Sequence, residues 1–369
     1  MNIFYFLGAN SGEGFASLYS SFPPEKDTML HIIKAGPGTG KSTFMRKIGK
    51  KAEEAGLDVE YVLCSGDPQS LDGVYVPQWK TAWVDGTAPH VGEPVLFGVN
   101  SDYVNLGIFL RQPFSPAEAE KLEKLQRSYK QQYREAYEIL AAAEHLQQGC
   151  IPDFFGENGR AAICRRMHGI LNRNLRNPAS GLGRERRFFL RAISCQGDYR
   201  LNRQIQELCK QIIQVDSGLS GLDPALQYTA REARKRGVDV IACPSPLRPQ
   251  ELEALLIPSE GLAFVGSDWD FEGARGVHID NLADVKLLQA RRNLLREGKK
   301  LEKKTMELAF AKLHQAKALH DEMEELYQSH MDFPALSRFT DRYLQELAGA
   351  TAAGPRLPAA APETEGLPR

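Results

Sequence analysis

The stretch LHIIKAGPGTGKS, residues 30–42, decides the fold of the first part of the chain. Its apolar start predicts a short β-strand, and residues 41–55 follow with apolar side chains on one helical face. Gly56 is typical of a residue that ends a helix. Strand, glycine loop and helix in this order are the context that a phosphate-binding loop, or P-loop, requires. We therefore predict an α/β domain built around a P-loop.

The predicted loop has the chemistry of an anion site. Glycines let successive backbone N–H groups turn towards a phosphate, and the helix N-terminus adds a partial positive charge. Lys41 would reach the β- and γ-phosphates of a nucleotide, and the Ser42 hydroxyl would bind Mg²⁺. The predicted cofactors are ATP and Mg²⁺, and the lack of an Asn-Lys-x-Asp signature weakly favours adenine over guanine. The predicted nucleotide-binding residues are Gly36, Pro37, Gly38, Thr39, Gly40, Lys41, Ser42 and Thr43.

A magnesium site also needs a carboxylate at the end of a neighbouring strand. The run TAWVD, residues 81–85, supplies Asp85 for this role. Gly86 follows Asp85, so the glutamate that serves many ATPases as general base is missing there. The remaining candidates are Asp67, Asp72 and His90, and for each of them a turn or cap is an equally good interpretation. The candidate catalytic residues are Lys41, Asp85, Asp67 and His90, and the candidate metal ligands are Ser42 and Asp85.

The chain repeats itself at an offset of 181 residues. Residues 56–87 and 237–268 align without gaps and are identical at nine of 32 positions. Leu222, Asp223 and Gly266 stand opposite Lys41, Ser42 and Asp85, so the second copy lacks the catalytic set. We interpret it as a degenerate copy that packs on the first one as an intramolecular pseudo-dimer. The alternative is that the second copy holds a different ligand.

The repeat and the helical patterns divide the chain into six segments. We expect each repeat to be a mostly parallel sheet flanked by helices. The helical extensions are interpreted as packing helices, with docking of a protein partner as the alternative. The segments are a P-loop nucleotide-binding domain over 1–112, a helical extension over 113–150, a basic linker over 151–186, a degenerate P-loop-like repeat over 187–282, a second helical extension over 283–348 and a disordered tail over 349–369.

The basic segment is rich in arginine. Residues 160–191 contain nine arginines and one glutamate, a local charge that suits phosphate backbones. Aromatic residues are scarce before Phe188, so a stacking platform for single strands is not evident. A solvated linker or a salt-bridged face is the preferred interpretation, which makes nucleic acid a disfavoured partner. A third option is that one arginine completes the nucleotide site.

Six motifs stand out along the chain: GAN at 8–10, GF at 14–15, GPGTGKS at 36–42, CS at 64–65, SLDGV at 70–74 and DGTAPH at 85–90. Together they resemble a poorly characterised bacterial family of tandem P-loop ATPase-like proteins. The resemblance covers most of the chain up to about Leu347. It implies a P-loop in both halves, and the second half of this chain departs from that pattern. It does not imply a particular substrate.

Composition narrows the function classes. The 369 residues include 46 basic and 47 acidic ones, so no global charge favours nucleic acid or a membrane surface. No apolar run approaches the ~20 residues of a membrane span, and the N-terminus lacks a signal-peptide pattern. Six cysteines without a CxxC pair indicate a reduced, cytoplasmic protein.

Three functions remain open at this point. The first is a Mg-dependent ATP-binding protein that acts as an ATPase or a nucleotide-driven switch. The second is a small-molecule kinase that uses Asp67 near the acceptor, because the polar loop of residues 64–67 follows the second strand. The third is a nucleotide sensor without turnover.

Overall fold

The structure is a computed structural model that describes residues 1–25, 27–87, 96–175 and 180–351. By their internal contacts these residues form two units. The first unit contains Met1–Phe4, Tyr19–Gln132 and the described residues from Gln315 on, and the second contains Tyr5–Leu18 and Tyr133–His314. The predicted segment 1–112 therefore differs from the observed unit, because Tyr5–Leu18 belongs with the second repeat.

The helices and strands are as follows in chain order. The first half of the chain forms β1 (Asn2–Phe6), β2 (Gly8–Ser11), β3 (Gly14–Ser17), β4 (Met29–Lys34), α1 (Lys41–Glu54), β5 (Val59–Leu63), β6 (Leu71–Val76), β7 (Thr81–Asp85), β8 (Ser101–Asn105) and α2 (Pro116–Cys150). The second half forms α3 (Gly156–Asn174), β9 (Glu185–Arg187), β10 (Arg191–Ser194), β11 (Gly197–Arg200), α4 (Asn202–Leu208), β12 (Gln211–Val215), α5 (Leu222–Lys235), β13 (Val240–Pro244), β14 (Leu252–Ile257), β15 (Leu262–Gly266), β16 (Arg275–Val277), α6 (Val285–His330) and α7 (Phe333–Thr351).

The sheet of the first unit has the strand order β1-β5-β6-β7-β4-β8. β4 runs parallel to β7 and β8, whereas β6 runs antiparallel to β5 and β7. The sheet is mixed, because β6 runs against β4, β5, β7 and β8, which share one direction; this is the predicted mostly parallel arrangement with one reversed strand. Only residues 64–70 link β5 to β6, and a link that short cannot make the crossover between parallel strands. Because β4 and β7 are parallel, Asp85 at the end of β7 comes beside the loop that follows β4.

The sheet of the second unit has the order β9-β13-β14-β15-β12-β16, which repeats the first sheet strand for strand. It is also mixed: β14 runs antiparallel to β13 and β15, while β12 runs parallel to β15 and β16. α5 begins at Leu222 and α1 at Lys41, which is the offset of 181 found in the sequence. The pairs β5/β13, β6/β14 and β7/β15 have the same spacing.

The segment predicted as a basic linker is largely helical. α3 buries one face, formed by Gly159, Ile163, Met167, Ile170 and Leu171, in the core of the second unit. α3 packs against α5. The strand that follows α3, β9, pairs in parallel with β13. This segment is therefore part of the fold rather than a solvated linker. Several of its arginines have partners here: Arg160 pairs with Asp153, and Arg166 donates to Asn281. Residue 176, another of the nine arginines, lies outside the described residues.

Two hairpins pack together in the second unit. The β2–β3 hairpin comes from the start of the chain, and the β10–β11 hairpin is its counterpart in the second repeat. Asn10 Nδ2 donates to the carbonyl oxygen of Ile193 at 2.8 Å, and the backbones of Phe6 and Phe189 exchange two hydrogen bonds of 2.9 Å. These contacts explain why residues 5–18 belong to the second unit rather than the first.

Long helices follow each sheet. α2 begins with a capping box, in which Ser115 N donates to Glu118 Oε2 at 2.8 Å and Glu118 N donates to Ser115 Oγ at 3.3 Å. α6 and α7 occupy the second predicted extension. α7 continues to Thr351, inside the predicted tail, and residues 352–369 lie outside the described part of the chain. Within the part that the structure describes, we find no helix whose length and hydropathy would let it span a bilayer.

An aromatic cluster fills the first unit beneath the loop that follows β4. Trp83 on β7 is fully buried, and its ring stacks on His31 of β4 with 5.4 Å between ring centroids. The indole N–H of Trp83 donates to the hydroxyl of Tyr343 on α7 at 2.9 Å. His31 Nδ1 also bonds the carboxylate of Asp102 on β8. These contacts tie α7 to the three parallel strands.

Candidate functional site

The loop between β4 and α1, residues 35–40, is hereafter called the glycine loop. Gly38 has φ +66° and Gly40 has φ +92°, a left-handed conformation that favours glycine at both positions. The hydroxyl of Thr39 donates to the carbonyl oxygen of Gly36 at 2.7 Å and braces the turn. Phe44 N then donates to the carbonyl oxygen of Gly40 at 2.8 Å, which begins the hydrogen bonds of α1. The loop is thus a turn that the Thr39 hydrogen bond stabilises and that leads directly into the N-terminus of α1.

Lys41 lies at the centre of this arrangement. Its side chain is almost buried, and Nζ donates to the carbonyl oxygens of Ala35 at 3.2 Å and Gly36 at 2.7 Å. Nζ also lies 3.6 Å from Oδ2 of Asp85. The ammonium group is therefore held between the glycine loop and the carboxylate at the end of β7. The structure brings Lys41 and Asp85 together as the sequence predicts.

Asp85 and Ser42 both have polar partners. Asp85 Oδ1 accepts from the backbone N–H of Thr87 at 2.8 Å, and Gly86 N donates to the carbonyl oxygen of Ile33, which fastens the end of β7 to β4. Ser42 Oγ accepts from the backbone N–H of Leu71 at 3.0 Å. A hydroxyl oxygen has two lone pairs, so Ser42 keeps one for a further donor or a metal ion. Both groups are hard oxygen ligands of the kind that Mg²⁺ prefers.

The remaining predicted residues fall into three groups. Pro37 lies in the glycine loop, and Thr43 lies in the first turn of α1 with an exposed side chain. Asp72 is buried and accepts from the hydroxyl of Tyr19 at 3.0 Å. Burial, together with Asp72, raises the pKa of Tyr19 well above its ordinary value. Asp72 therefore has a structural partner rather than the setting of a general base. His90 lies outside the described residues.

One face of α6 lies against the glycine loop, and sequence analysis did not predict this. A β-carbon built on Gly38 would lie 2.8 Å from Cβ and 2.9 Å from Cα of Glu324. One built on Gly36 would lie 2.7 Å from Cδ1 of Tyr327. Such distances mean that only glycine fits at either position without movement of α6.

The same face of α6 carries charged groups. Lys317 Nζ lies 3.5 Å from Oδ2 of Asp67 and also pairs with Asp321. His320 Nδ1 lies 3.6 Å from Oε1 of Glu324. Burial lowers the pKa of His320 below its ordinary value, so that the ring is mostly neutral at pH 7. His320, Asp321 and Glu324 offer potential ligand atoms within 4.8 Å of one another.

A weak signal for this face exists in the sequence. Lys317, His320, Glu324 and Tyr327 follow the three- and four-residue spacing that places side chains on one helical face. Nothing in that pattern names the surface it packs against. The contact joins residues nearly 300 positions apart, and the periodicity of a helix does not predict contacts between residues so distant in the sequence.

The corresponding loop of the second repeat is different. Gly221 stands at the position of Gly40 but has φ −86°, and Leu219 stands at the position of Gly38. Asp223, at the position of Ser42, accepts from the backbone N–H of Leu252 at 2.8 Å, as Ser42 does from Leu71. The second repeat has kept the bond that ties the helix to the antiparallel strand. It has neither the left-handed glycines nor the lysine.

Searches against protein-family models, curated proteins and solved structures gave no significant match to this chain. It is an α/β protein with two mixed sheets flanked by helices.

Proposed function

We propose that the first repeat binds Mg-ATP at the glycine loop and acts as a slow ATPase or a nucleotide-driven switch. The observation that carries the proposal is the position of Lys41, with its ammonium group held between the loop carbonyl oxygens and Asp85. A buried cation beside a helix N-terminus and two left-handed glycines is a setting for a phosphate group. The resemblance to tandem P-loop ATPase-like proteins agrees with this proposal.

Each residue has a role in the proposed site. Backbone N–H groups of the glycine loop and of the first turn of α1 would cradle the phosphates, and Lys41 would bind the β- and γ-phosphates. Ser42 and Asp85 would hold Mg²⁺, directly or through water. When bound, Mg²⁺ supplies charge that neutralises the triphosphate. The second repeat lacks this set and is proposed to serve as a scaffold.

Hydrolysis is expected to be slow, because Gly86 occupies the position after Asp85 where many ATPases carry a base. A kinase that uses Asp67 as its base is less well supported. The carboxylate of Asp67 lies within ion-pair distance of Lys317 and accepts from Gln69 N at 3.2 Å, so both contacts would compete with an acceptor hydroxyl. A nucleotide sensor that does not hydrolyse ATP remains the alternative, and the rate of phosphate release would distinguish it from an ATPase.

Location and partners belong to the same proposal. All six cysteines lie among the described residues and no disulfide joins them, which supports the cytoplasmic location inferred from composition. Arg160 and Arg166 of α3 have protein partners, which supports the interpretation that nucleic acid is a disfavoured partner of this segment.

The test is calorimetric titration of Mg-ATP into wild-type protein, Lys41→Ala and Lys50→Ala. Lys50 is an exposed lysine of the same helix and serves as the matched control. A hydrogen bond to a charged group contributes about 1.5–3 kcal/mol, so Lys41→Ala is expected to weaken binding about 10- to 100-fold. Lys50→Ala is expected to bind like wild type. An unchanged affinity for Lys41→Ala, or binding that does not depend on Mg²⁺, would contradict the proposed site. Phosphate release in the same samples distinguishes a slow ATPase from a sensor.

A further inference from the structure

The residues of α6 that lie on the glycine loop are held there by close packing. At Gly38 the approach involves the helix backbone itself, because the missing β-carbon would meet Cα of Glu324. Gly36 has no left-handed φ, so the close approach of Tyr327 rather than a turn accounts for glycine at that position. The ring of Tyr327 packs in turn on Phe114, with 5.1 Å between the ring centroids. The surfaces of the glycine loop and of α6 are thus closely complementary in shape.

The carboxylates near this surface would repel an incoming phosphate group. Glu324 lies directly against Gly38 of the loop, and two further carboxylates, Asp321 and Asp67, lie on either side of Lys317, which pairs with both. A triphosphate would arrive with several negative charges at a partly buried site, where repulsion is only weakly screened. Lys41, at the base of the loop, would be drawn to the incoming phosphates. Docked α6 and bound nucleotide therefore compete for the same surface of the glycine loop beside Lys41.

We propose that residues 317–327 of α6 form a nucleotide-responsive cover on the glycine loop, and that Glu324 is the residue that opposes nucleotide binding. This inference rests on the proposed function, since it takes the loop to be the nucleotide site. Binding of the triphosphate releases residues 317–327 from the loop. Each molecule of nucleotide thus gives up part of its binding energy to detach the helix, which is what a switch requires.

The first experiment compares Glu324→Gln with Glu325→Gln in Mg-ATP titrations of the full chain. Both substitutions remove one negative charge from the same helix, but Glu325 is exposed. Glu324→Gln is expected to bind Mg-ATP about tenfold more tightly than wild type, within the range of measured coupling between sites. Glu325→Gln is expected to stay within about twofold of wild type. An equal affinity for Glu324→Gln and wild type, or a weaker one, overturns the proposal.

The second experiment follows amide hydrogen exchange of residues 317–330 with and without Mg-ATP. Exchange is expected to accelerate when nucleotide binds, because the segment leaves the loop. Tyr327→Ala removes the contact at Gly36 and is expected to accelerate this exchange before any nucleotide is added. Slower exchange with nucleotide, or a Tyr327→Ala protein that exchanges like wild type, would mean that the segment does not act as a cover.

The outcomes separate the two proposals. Lys41-dependent binding together with an unchanged affinity of Glu324→Gln leaves the proposed function intact and refutes the cover. Binding that appears only in Glu324→Gln, and disappears in Glu324→Gln with Lys41→Ala, supports both. An absence of binding in wild type and in Glu324→Gln at millimolar Mg-ATP refutes both.

Discussion

The backbone N–H of Leu252 offers a direct test of how each repeat ties the start of its helix to its antiparallel strand. Asp223 Oδ1 accepts from it at 2.8 Å, and in the first repeat Ser42 Oγ accepts from Leu71 at 3.0 Å. Both bonds join the start of a helix to the first residue of the antiparallel strand. Asp223→Ala removes the acceptor, and Asp223→Ser replaces it with the group that the first repeat uses.

The expected magnitudes follow from this geometry. A hydrogen bond to a charged acceptor contributes about 1.5–3 kcal/mol, and a carboxylate in the first turn of a helix adds about 0.3–1 kcal/mol. Asp223 is partly exposed, which weakens both effects. We therefore expect Asp223→Ala to lower the free energy of unfolding of the second unit by about 2 kcal/mol. Asp223→Ser keeps a neutral hydrogen bond, so a loss of about 1 kcal/mol or less is expected.

Urea denaturation of the three proteins measures these differences, and hydrogen exchange at the Leu252 amide shows whether the effect is local. Exchange is expected to accelerate in Asp223→Ala and to remain near wild type in Asp223→Ser. An Asp223→Ser protein as unstable as Asp223→Ala would contradict the role assigned to this hydrogen bond. A loss of less than about 0.5 kcal/mol in Asp223→Ala would contradict it equally, because the Leu252 N–H would then have another partner.

Further predictions concern the second unit. Burial raises the pKa of Glu253 to about 7 even though the ion pair with Arg191 lowers it. The folded state therefore binds this proton more tightly than an unfolded glutamate, whose pKa is near 4.5. The resulting stability is complete below about pH 4.5 and is lost as the pH rises through about 7, so Glu253→Gln is expected to flatten the fall in melting temperature between about pH 5 and about pH 8. A fall as steep as in wild type would assign the pH dependence to other groups. A β-carbon at Gly183 would overlap the carbonyl oxygen of Val238, so Gly183→Ala is expected to cost about 1–3 kcal/mol in chemical denaturation. Gly149→Ala in α2 meets nothing within 4 Å and is expected to add about 0.5–1 kcal/mol; equal effects of the two substitutions would refute this assignment.

Local patterns in the sequence predicted the part of the site that is local. β4, the glycine loop and α1 are contiguous, so periodicity and glycine spacing were enough to place Lys41. Asp85 was found because an apolar run ending in an acid is typical of a strand beside the loop. The offset of 181 residues also predicted which elements recur, since α1 and α5 have the same length and spacing from the strands that follow.

The errors have physical reasons. The reversal of β6 was not predicted, and it follows from the short link over residues 64–70. The arginines of residues 160–191 concealed the apolar face of α3, which is visible only when Ile163, Met167 and Ile170 are seen against α5. The approach of α6 to the glycine loop is a tertiary contact, and nothing in its local sequence specifies the partner.

The stacked pair of Trp83 and His31 has a spectroscopic consequence. Trp83 is buried on the strand that ends in Asp85, and His31 belongs to the strand that leads into the glycine loop. The indole N–H of Trp83 donates to the hydroxyl of Tyr343 on α7, so a change in the packing of α7 would alter the environment of the Trp83 ring. The chain has two other tryptophans, Trp79 and Trp269, so in a protein that carries phenylalanine at both of those positions the emission of Trp83 is an intrinsic optical probe beneath the loop.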